Sequence, residues 1–549
     1  MGSKKTVWWV TISIVISLII GIIIGSFISG KSLGRRLFLT PNNKINVILD
    51  IVHQDYVDPI NMKELTEGAI FNIIDKLDPH SIYIPNSELQ AVNNDMDGHF
   101  GGLGISHFIY QDTIVIVDII HGSPSSQAGL SPGDRIVQVN DSLFVGPEIT
   151  EEKAVTTLRG PVGSSVKLGI KRDDSDKLLE YTIKRGNIPI TTVKAAYKIE
   201  EGIGFIKIYD KFSKTTYDEF MNAVAKLVAV GCKSFIIDLR MNGGGAFDAA
   251  VKVINEFLPE GRMIVYAEGR SFPRTQSISD GSGTLQDNQI VILMDQLSAS
   301  ASEIVAGAIQ DNDRGLILGR RSFGKGLIQN QKELSDGSAV RLTVARYYTP
   351  SGRNIQRKYE LGKSNEYNQD WIDQLNSGES FHADYIKVDT TLAYQTLGKR
   401  TVYGGGGIQP DIFVSMDTAH LTTYYINLEN KGIFTKFAFE YWENNRKNLD
   451  QYKDAASLLE YLKTQPILYE MVRFAEENGV KKRTYLISRS ANQILLSTYA
   501  CILQNFFGED MFYPVYLSAD PMIAKAIEVI RKGEATPKAI VSMKYKDLQ

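Results

Sequence analysis

A strand-to-helix junction decides the fold of this chain: LSASASEIVAGAIQD, residues 297–311. The apolar run 290–294 before it has the length and composition of a buried strand, and residues 302–311 have the pattern of a helix. A serine at such a junction projects from the end of a strand with a helix N-terminus beneath it. The free N–H groups and the dipole of that helix would stabilise a developing oxyanion.

Three serines lie at this junction, Ser298, Ser300 and Ser302. Ser300 and Glu303 also match a capping box, in which a serine closes the first turn of a helix and has only a structural role. The junction by itself therefore leaves two interpretations open, a nucleophile and a helix cap.

The downstream stretch GRRSFGKG, residues 319–326, has the glycine and lysine spacing of a Walker A loop. Gly326, however, stands where a Ser or Thr should bind Mg²⁺, and a Walker lysine needs a helix directly after it. The following LIQNQKELSDGSAVRLTVARYY alternates apolar and polar residues, which predicts strands. This pattern argues against an ATPase.

A serine nucleophile needs a general base, and histidine is the usual one. No histidine occurs between His121 and His382, so a Ser-His-Asp triad inside this span is excluded, and we do not expect a histidine recruited from outside it. A lysine can replace histidine if burial lowers its pKa. Lys325 is the candidate, because Gly324 and Gly326 on either side permit close packing.

Strands and helices alternate outward from the junction. Residues 202–208 and 235–239 have the composition of buried strands, and a helix is expected at about 247–258. This alternation predicts an α/β fold.

The preceding segment, residues 93–188, consists of short apolar runs and glycine-rich turns, with one helix expected over 151–158 behind Thr150 as its N-cap. Its phrase SPSSQAGLSPGDRIVQVND resembles a PDZ domain. Such domains add a peptide as an extra strand and hold its terminal carboxylate with backbone N–H groups. The resemblance implies that Gly102, Leu103 and Gly104 bind the peptide; the alternative is an ordinary glycine-rich turn.

Four motifs occur in order: DLRMNGGG, SASASEI, SFGKG with a Gln four residues after its lysine, and GGIQPDI. Together they resemble the carboxy-terminal processing (tail-specific) proteases, which are Ser-Lys peptidases with an inserted PDZ domain and a crotonase-like core. The similarity runs over residues 45–415. It implies that Ser300 is the nucleophile, that Lys325 is the general base and that Gln329 orients the lysine amine.

The same resemblance implies an oxyanion hole made of two backbone N–H groups, those of Ala301 and Gly245, with Gly244 as the alternative to Gly245. Many family members have Pro-Gly-Gly where this chain has three consecutive glycines, which leaves the choice of donor open. The nearby Asp238 and Arg240 are expected to brace the core.

Composition excludes other classes of function. A net charge of -3 and a pI near 6.2 do not suit a nucleic-acid-binding protein. No His and Cys spacing is typical of a metal site, so neither a metal nor another cofactor is expected. Cys232 and Cys501 are expected to be buried thiols.

Residues 6–30 carry no charge and are long enough to cross a bilayer of ~30 Å as a helix. Lysines and arginines occur on both sides of this run, so the positive-inside rule gives no orientation. We favour an uncleaved anchor over a cleaved signal peptide, whose apolar region is shorter. The expected location is the bacterial inner membrane, with a single span and the catalytic body in the periplasm or otherwise outside the cytoplasm.

Five segments are predicted: a cytoplasmic stub with the anchor, a helical segment, the PDZ domain, the α/β peptidase core and a helical C-terminal region of unknown role, at residues 1–35, 36–92, 93–188, 189–415 and 416–549. In the last segment a helix is expected behind Asp520 as N-cap. The expected partners are protein or peptide substrates with apolar C-termini and the membrane, but not nucleic acid, and a homo-oligomer is left open.

The predicted function is a membrane-anchored serine endopeptidase that cleaves envelope proteins. The first alternative is a PDZ adaptor with an inactive core, which the presence of Ser300, Lys325 and Gln329 together argues against. A trypsin-like PDZ protease would need a core histidine and a Gly-x-Ser-Gly-Gly motif, but no histidine lies between His121 and His382 and the motif does not occur.

Overall fold

The computed structural model describes residues 15–17, 44–172 and 177–537, in a chain that divides into two compact units, residues 1–77 and 78–549. The predicted anchor at 6–30 lies outside the described residues apart from 15–17. Within the described ranges, no helix is both long enough and apolar enough to cross a membrane.

The first unit contains two described helices, α1 (Lys44–Asp55) and α2 (Met62–Asp75). The side chain of Asn61 caps α2 by accepting hydrogen bonds from the first backbone N–H groups of that helix. Ile45 and Ile48, part of the apolar stripe predicted for α1, are at least half exposed.

The second unit begins with β1 (Ile82–Ile84), α3 (Asn86–Asp97) and β2 (His99–Gly102). We expected residues 36–92 to be helical, and β1 corrects this prediction. It pairs antiparallel with residues 339–341, far along the chain. A three-residue strand is too short to show a periodic pattern, and only its distant partner satisfies its backbone groups.

A small sheet of six strands with two helices forms the predicted PDZ domain. Its elements are β3 (Ile105–Tyr110), β4 (Thr113–Ile119), α4 (Pro124–Ala128), β5 (Arg135–Val139), β6 (Ser142–Leu143), α5 (Glu151–Leu158), β7 (Ser165–Lys171) and β8 (Leu178–Lys184). The strand order is β3-β4-β5-β7-β8, with β6 on β5, so β3 is an edge strand. The predicted cap of α5 is confirmed, because the Thr150 hydroxyl accepts a hydrogen bond from Lys153 N.

The α/β core follows. Its elements are β9 (Gly186–Pro189), β10 (Val193–Glu200), β11 (Ile203–Ile208), β12 (Asp210–Phe212), α6 (Thr216–Ala229), β13 (Ser234–Asp238), β14 (Asn242–Gly245), α7 (Phe247–Asn255), β15 (Met263–Gly269), β16 (Phe272–Ile278), β17 (Gln289–Met294), α8 (Ala301–Asp311), β18 (Leu316–Gly319), β19 (Leu327–Glu333), β20 (Ala339–Tyr348), α9 (Ser364–Asn376), β21 (Ala393–Gln395), β22 (Thr401–Tyr403) and β23 (Ile412–Phe413).

Two sheets organise this core. One has the order β10-β11-β13-β17-β18-β23 and is parallel from β11 onward; the other has the order β1-β20-β15-β16, with β19 paired to β20. Helix α8 is buried along its whole length, and its apolar side chains belong to the main hydrophobic core. The loops after β13 and β17 leave the carboxyl edge of the parallel sheet, where α/β proteins place their sites.

The C-terminal region is helical, as predicted. Its elements are α10 (Thr423–Asn430), α11 (Ile433–Leu449), α12 (Ala455–Lys463), α13 (Ile467–Glu477), α14 (Thr484–Phe507), α15 (Phe512–Tyr516) and α16 (Pro521–Arg531). Asp520 caps α16, which confirms that prediction, and its carboxylate also pairs with Arg240 at 2.6 Å. The apolar face of α16 packs on the parallel sheet, beside Phe205 and Leu293.

Helix α11 contacts the PDZ domain. The Tyr110 hydroxyl on β3 donates a hydrogen bond of 2.5 Å to Glu440, and the rings of Phe108 and Phe439 meet edge to face at 5.4 Å. The C-terminal region thus contacts the PDZ domain through α11 and the α/β core through α16. Cys232 and Cys501 are buried free thiols, as expected.

Candidate active site

Ser300 ends the loop after β17 and precedes α8. Its backbone has φ 53° and ψ −113°, outside the regions that a residue with a side chain prefers. Strain of this kind persists where the surrounding structure fixes it, often at functional sites. Here α8 and strand β14 hold the position: Ala299 N donates to Asn242 O at 2.9 Å.

The three serines at the junction have different environments. The Ser298 hydroxyl is fully buried and donates to Leu239 O at 2.8 Å. The Ser302 hydroxyl is also fully buried and donates to Asn242 Oδ1 at 2.8 Å. Ser300 instead lines a cavity of about 950 Å³. Only this serine of the three is placed to meet a substrate.

Lys325 lines the same cavity, in the loop between β18 and β19. Burial lowers the pKa of its amine, Arg341 lowers it further, and Asp78 and Glu303 oppose the shift. The amine donates a hydrogen bond of 2.9 Å to Gln329 Oε1. Lys325 is therefore a mostly buried lysine that loses its proton more easily than a solvated one.

Glu303 joins the segments that carry Ser300 and Lys325. One carboxylate oxygen accepts from Ser300 N and Lys325 N, both at 2.8 Å, and the other accepts from Gly324 N at 2.7 Å and the Ser322 hydroxyl at 2.5 Å. Burial raises the pKa of this carboxyl, and those four hydrogen bonds oppose the rise. The sequence indicated Glu303 only as a capping-box residue. Its contact with the lysine loop depends on tertiary structure.

Gln329 is held at both ends of its amide. While its oxygen faces the Lys325 amine, its nitrogen donates to the backbone carbonyl of His80. Thr343 lies directly across from Gln329 in the β19–β20 pair. The Thr343 hydroxyl donates to Asp78 Oδ1 at 2.9 Å, which fixes the turn of residues 78–81 beside Gln329.

Asp78 closes that turn. Its carboxylate accepts from His80 N and Ser81 N, both at 3.0 Å, and from the Ser81 hydroxyl at 2.6 Å. Burial works against the charge, but the hydrogen bonds from Ser81 and Thr343 outweigh it and lower the pKa of Asp78. Sequence reasoning missed this turn, although Asp followed shortly by Ser is typical of a side-chain-closed turn.

His80 brings a histidine to the edge of the site from outside the α/β core, which we did not expect. Its Nε2 lies 3.2 Å from the Tyr367 hydroxyl, and its ring meets the Tyr367 ring edge to face at 5.3 Å. Burial and the nearby Lys325 lower its pKa to about 4. Its side chain thus contacts Tyr367, and its carbonyl contacts Gln329.

The predicted oxyanion donors, Ala301 and Gly245, both line the cavity. Gly244 lies against the serine, because a Cβ built on it would be 2.5 Å from the Ser300 Cβ. The Gly244 N–H is already donated to Asn242 Oδ1 at 2.9 Å. This hydrogen bond leaves Gly245 as the better of the two glycine candidates.

The predicted peptide-binding residues lie just before the edge strand β3. Gly102 ends β2, Leu103 is buried in the PDZ core, and Gly104 adopts φ +79° against Ser123. Among the described strands, only β4 pairs with β3 in this sheet, so the other edge of β3 is unpaired. Among the residues described, no group of three or more His, Cys, Asp or Glu side chains is placed to hold a metal ion.

Three models of known protein families match segments of this chain. A model of peptidase family S41 matches residues 202–363, a PDZ domain model matches residues 93–171, and a family of unknown function matches residues 424–508. The carboxy-terminal-processing protease of Bartonella bacilliformis is 35% identical over 344 residues, 60% of this chain and 78% of that protein. A probable CtpA-like serine protease of Staphylococcus haemolyticus is 34% identical over 317 residues, 57% of this chain and 62% of that protein.

A solved structure, the photosystem II D1 C-terminal processing protease, is 24% identical and matches over 68% of this chain and 87% of its own, with a TM-score of 0.34. The family models alone define the class of this protein, a serine-type peptidase with a PDZ domain. The chain belongs to the carboxy-terminal-processing protease family, peptidase family S41. The resemblance found in the sequence is thereby confirmed.

Proposed function

We propose that this protein is a membrane-anchored serine endopeptidase with a Ser300–Lys325 dyad on a crotonase-like core, which cleaves envelope proteins whose apolar C-termini bind its PDZ domain. The observation that carries the proposal is the difference among the three serines: Ser298 and Ser302 are buried and hydrogen-bonded, whereas Ser300 shares a cavity with Lys325. The cavity of about 950 Å³ is large enough for several residues of a peptide.

In the acylation step the neutral Lys325 amine removes the Ser300 hydroxyl proton as the oxygen attacks the scissile carbonyl carbon. The carbonyl π bond opens, and the oxyanion accepts hydrogen bonds from Ala301 N–H and Gly245 N–H. The oxyanion then collapses, the C–N bond breaks, and the Lys325 ammonium returns its proton to the leaving amine. An acyl ester on Ser300 and the C-terminal fragment are the products of this half-reaction.

In deacylation a water molecule attacks the ester carbonyl and gives a proton to Lys325. The C–O bond to Ser300 breaks, and the proton passes from Lys325 to the serine oxygen, which restores the starting state. Gln329 holds the amine in place during both half-reactions, because its amide is itself fixed by the His80 carbonyl. Because burial lowers the Lys325 pKa, the neutral amine forms at a lower pH than in a solvated lysine.

The membrane anchor is proposed from residues 6–30, and the location of the catalytic body outside the cytoplasm from the nature of the proposed substrates. Apolar C-termini are proposed because residues 93–171 match a PDZ domain, a class of domain that adds a peptide C-terminus as an extra strand.

The test is digestion of a model substrate with an apolar C-terminal tail by the detergent-solubilised protein. Ser300→Ala and Lys325→Ala should each lose activity by several orders of magnitude while remaining folded. Ser302→Ala is the matched control and should cleave the substrate. Full activity of Ser300→Ala, or cleavage that does not depend on the tail, would refute the proposal.

A further inference from the structure

The helical C-terminal region contains a cavity of about 370 Å³, remote in sequence from the catalytic residues. It is lined by the start of α10, the loop between α13 and α14, and the start of α14. Three of its lining residues are cationic, Lys431, Lys481 and Arg483. This region is the one that matches a family of unknown function.

The charges in the loop oppose the usual rule for helix ends. Lys481, Lys482 and Arg483 directly precede the first residue of α14, a helix of 24 residues. The N-terminus of a helix carries a partial positive charge, so cations there are unfavourable and acidic residues are preferred. No side chain caps this helix, so its first N–H groups lack the side-chain acceptor that usually satisfies them. Basic side chains beside the positive end of a helix are explained if the side chains and the helix N-terminus together bind an anion.

A buried hydroxyl provides an independent observation. Tyr424 lines the cavity, is only 2% exposed, and its Oη is buried without a hydrogen-bond partner. Burial, with the nearby Glu476, raises the pKa of this phenol to about 12, so it stays a hydrogen-bond donor. A buried donor without a partner is costly, and an unseen ligand is one of its ordinary explanations.

The cationic groups have capacity for a ligand. Lys431 Nζ donates to Gly479 O at 2.8 Å, which uses one of its three protons and places the amine beside the loop. The cavity lining contains three cationic residues and no acidic one, so it carries an excess of positive charge. A phosphate group matches this site, because it accepts hydrogen bonds from lysine, arginine, a phenol and helix N–H groups together.

We propose that this cavity binds a phosphate group, held by Lys431, Lys481, Arg483 and the Tyr424 hydroxyl at the N-terminus of α14. The phosphate could belong to a soluble phosphate or to an anionic phospholipid headgroup. Both sources present the same chemistry to the site. The proposal does not depend on the Ser300–Lys325 mechanism.

The experiment uses the full chain in a nonionic detergent. Inorganic phosphate and monomeric dihexanoyl-phosphatidylglycerol are titrated separately by calorimetry, against chloride at equal ionic strength and against dihexanoyl-phosphatidylcholine. The double variant Lys481→Gln/Arg483→Gln should weaken binding at least 10-fold. The matched control Lys447→Gln/Lys453→Gln, with the same charge change elsewhere in the region, should bind like the wild type.

Tyr424→Phe separates ligand binding from folding. It should weaken binding about 10-fold by removing one donor to a charged group. It should not lower the melting temperature without ligand, because the hydroxyl that it removes has no partner in the folded protein.

If inorganic phosphate binds more tightly, the ligand is a soluble phosphate. If dihexanoyl-phosphatidylglycerol binds more tightly, the ligand is a phospholipid headgroup. Binding of neither probe, or equal weakening by the control variant, overturns the proposal.

Discussion

Replacing Asp78 with Asn tests whether the turn at residues 78–81 positions the base Lys325. Asp78 accepts four hydrogen bonds, three within the turn and one from Thr343 on β20. This turn places the His80 carbonyl where it accepts a hydrogen bond from the Gln329 amide nitrogen. Asn has one accepting oxygen and no charge, so it cannot replace all four interactions.

The magnitude follows from these contacts. Hydrogen bonds to a charged group contribute about 1.5–3 kcal/mol, against about 1 kcal/mol for neutral pairs, so the turn should lose roughly 2–4 kcal/mol of local stability. A displacement of a catalytic group by about 1 Å costs on the order of 100-fold in rate. We expect Asp78→Asn to lower kcat by about 10- to 100-fold, with KM nearly unchanged.

The assay is a double-mutant cycle with Gln329→Ala, measured as kcat/KM across pH. If Asp78 acts through Gln329, adding Asp78→Asn to Gln329→Ala should cause no further loss. Because the Asp78 carboxylate raises the Lys325 pKa, its removal should also move the acidic limb of the profile to lower pH. A purely structural role would lower the melting temperature without moving that limb.

Asp280→Asn is the matched control, because Asp280 closes a similar turn by accepting from Ser282 N and Oγ. It should leave the pH profile unchanged. Losses that add up independently in the cycle, or an unmoved acidic limb in Asp78→Asn, would refute the positioning role.

Lys325→Arg should be inactive from pH 6 to 10, because a guanidinium does not deprotonate, and peptidase activity in this variant would contradict the mechanism. The wild-type rate should rise with pH through a pKa below about 10.4. Lys325→Met should raise the melting temperature at pH 7, because the lowered pKa of Lys325 means that its charged amine destabilises the folded state. This destabilisation falls as pH rises through the folded-state pKa and is gone above about pH 10.4, so a melting-temperature difference that persists there would contradict the prediction. Phe439→Ala should remove about 3–5 kcal/mol of packing where α11 contacts the PDZ domain, and it should speed limited proteolysis at the PDZ boundaries. Tyr469→Ala, at an exposed position, should not speed proteolysis, and equal rates in the two variants would argue that the α11 contact does not hold the PDZ domain in place. Protease added to spheroplasts should degrade residues 40–549, and protection of that part would reverse the proposed orientation.

Much of the fold was predictable because local patterns and tertiary packing agree. The strand–helix order around residues 290–311, the cap of α5 by Thr150 and the cap of α16 by Asp520 all appear as predicted. These features depend on hydrogen bonds between residues two to four apart and on the alternation of apolar side chains, which the sequence records directly. The strands after Lys325 were predicted for the same reason, and they exclude the Walker interpretation.

The sequence also determined which residue types are available for chemistry, since it has no histidine between His121 and His382 and has a lysine in a glycine-flanked loop. Only the tertiary structure decided how they meet. Glu303 joins the serine and lysine segments, and strand β1 with the turn at Asp78 reaches Gln329 from about 250 residues away in the chain. Hydrogen bonds between such distant segments leave no periodic or spacing signal, because their geometry is set by the packing of two sheets and not by neighbours along the chain.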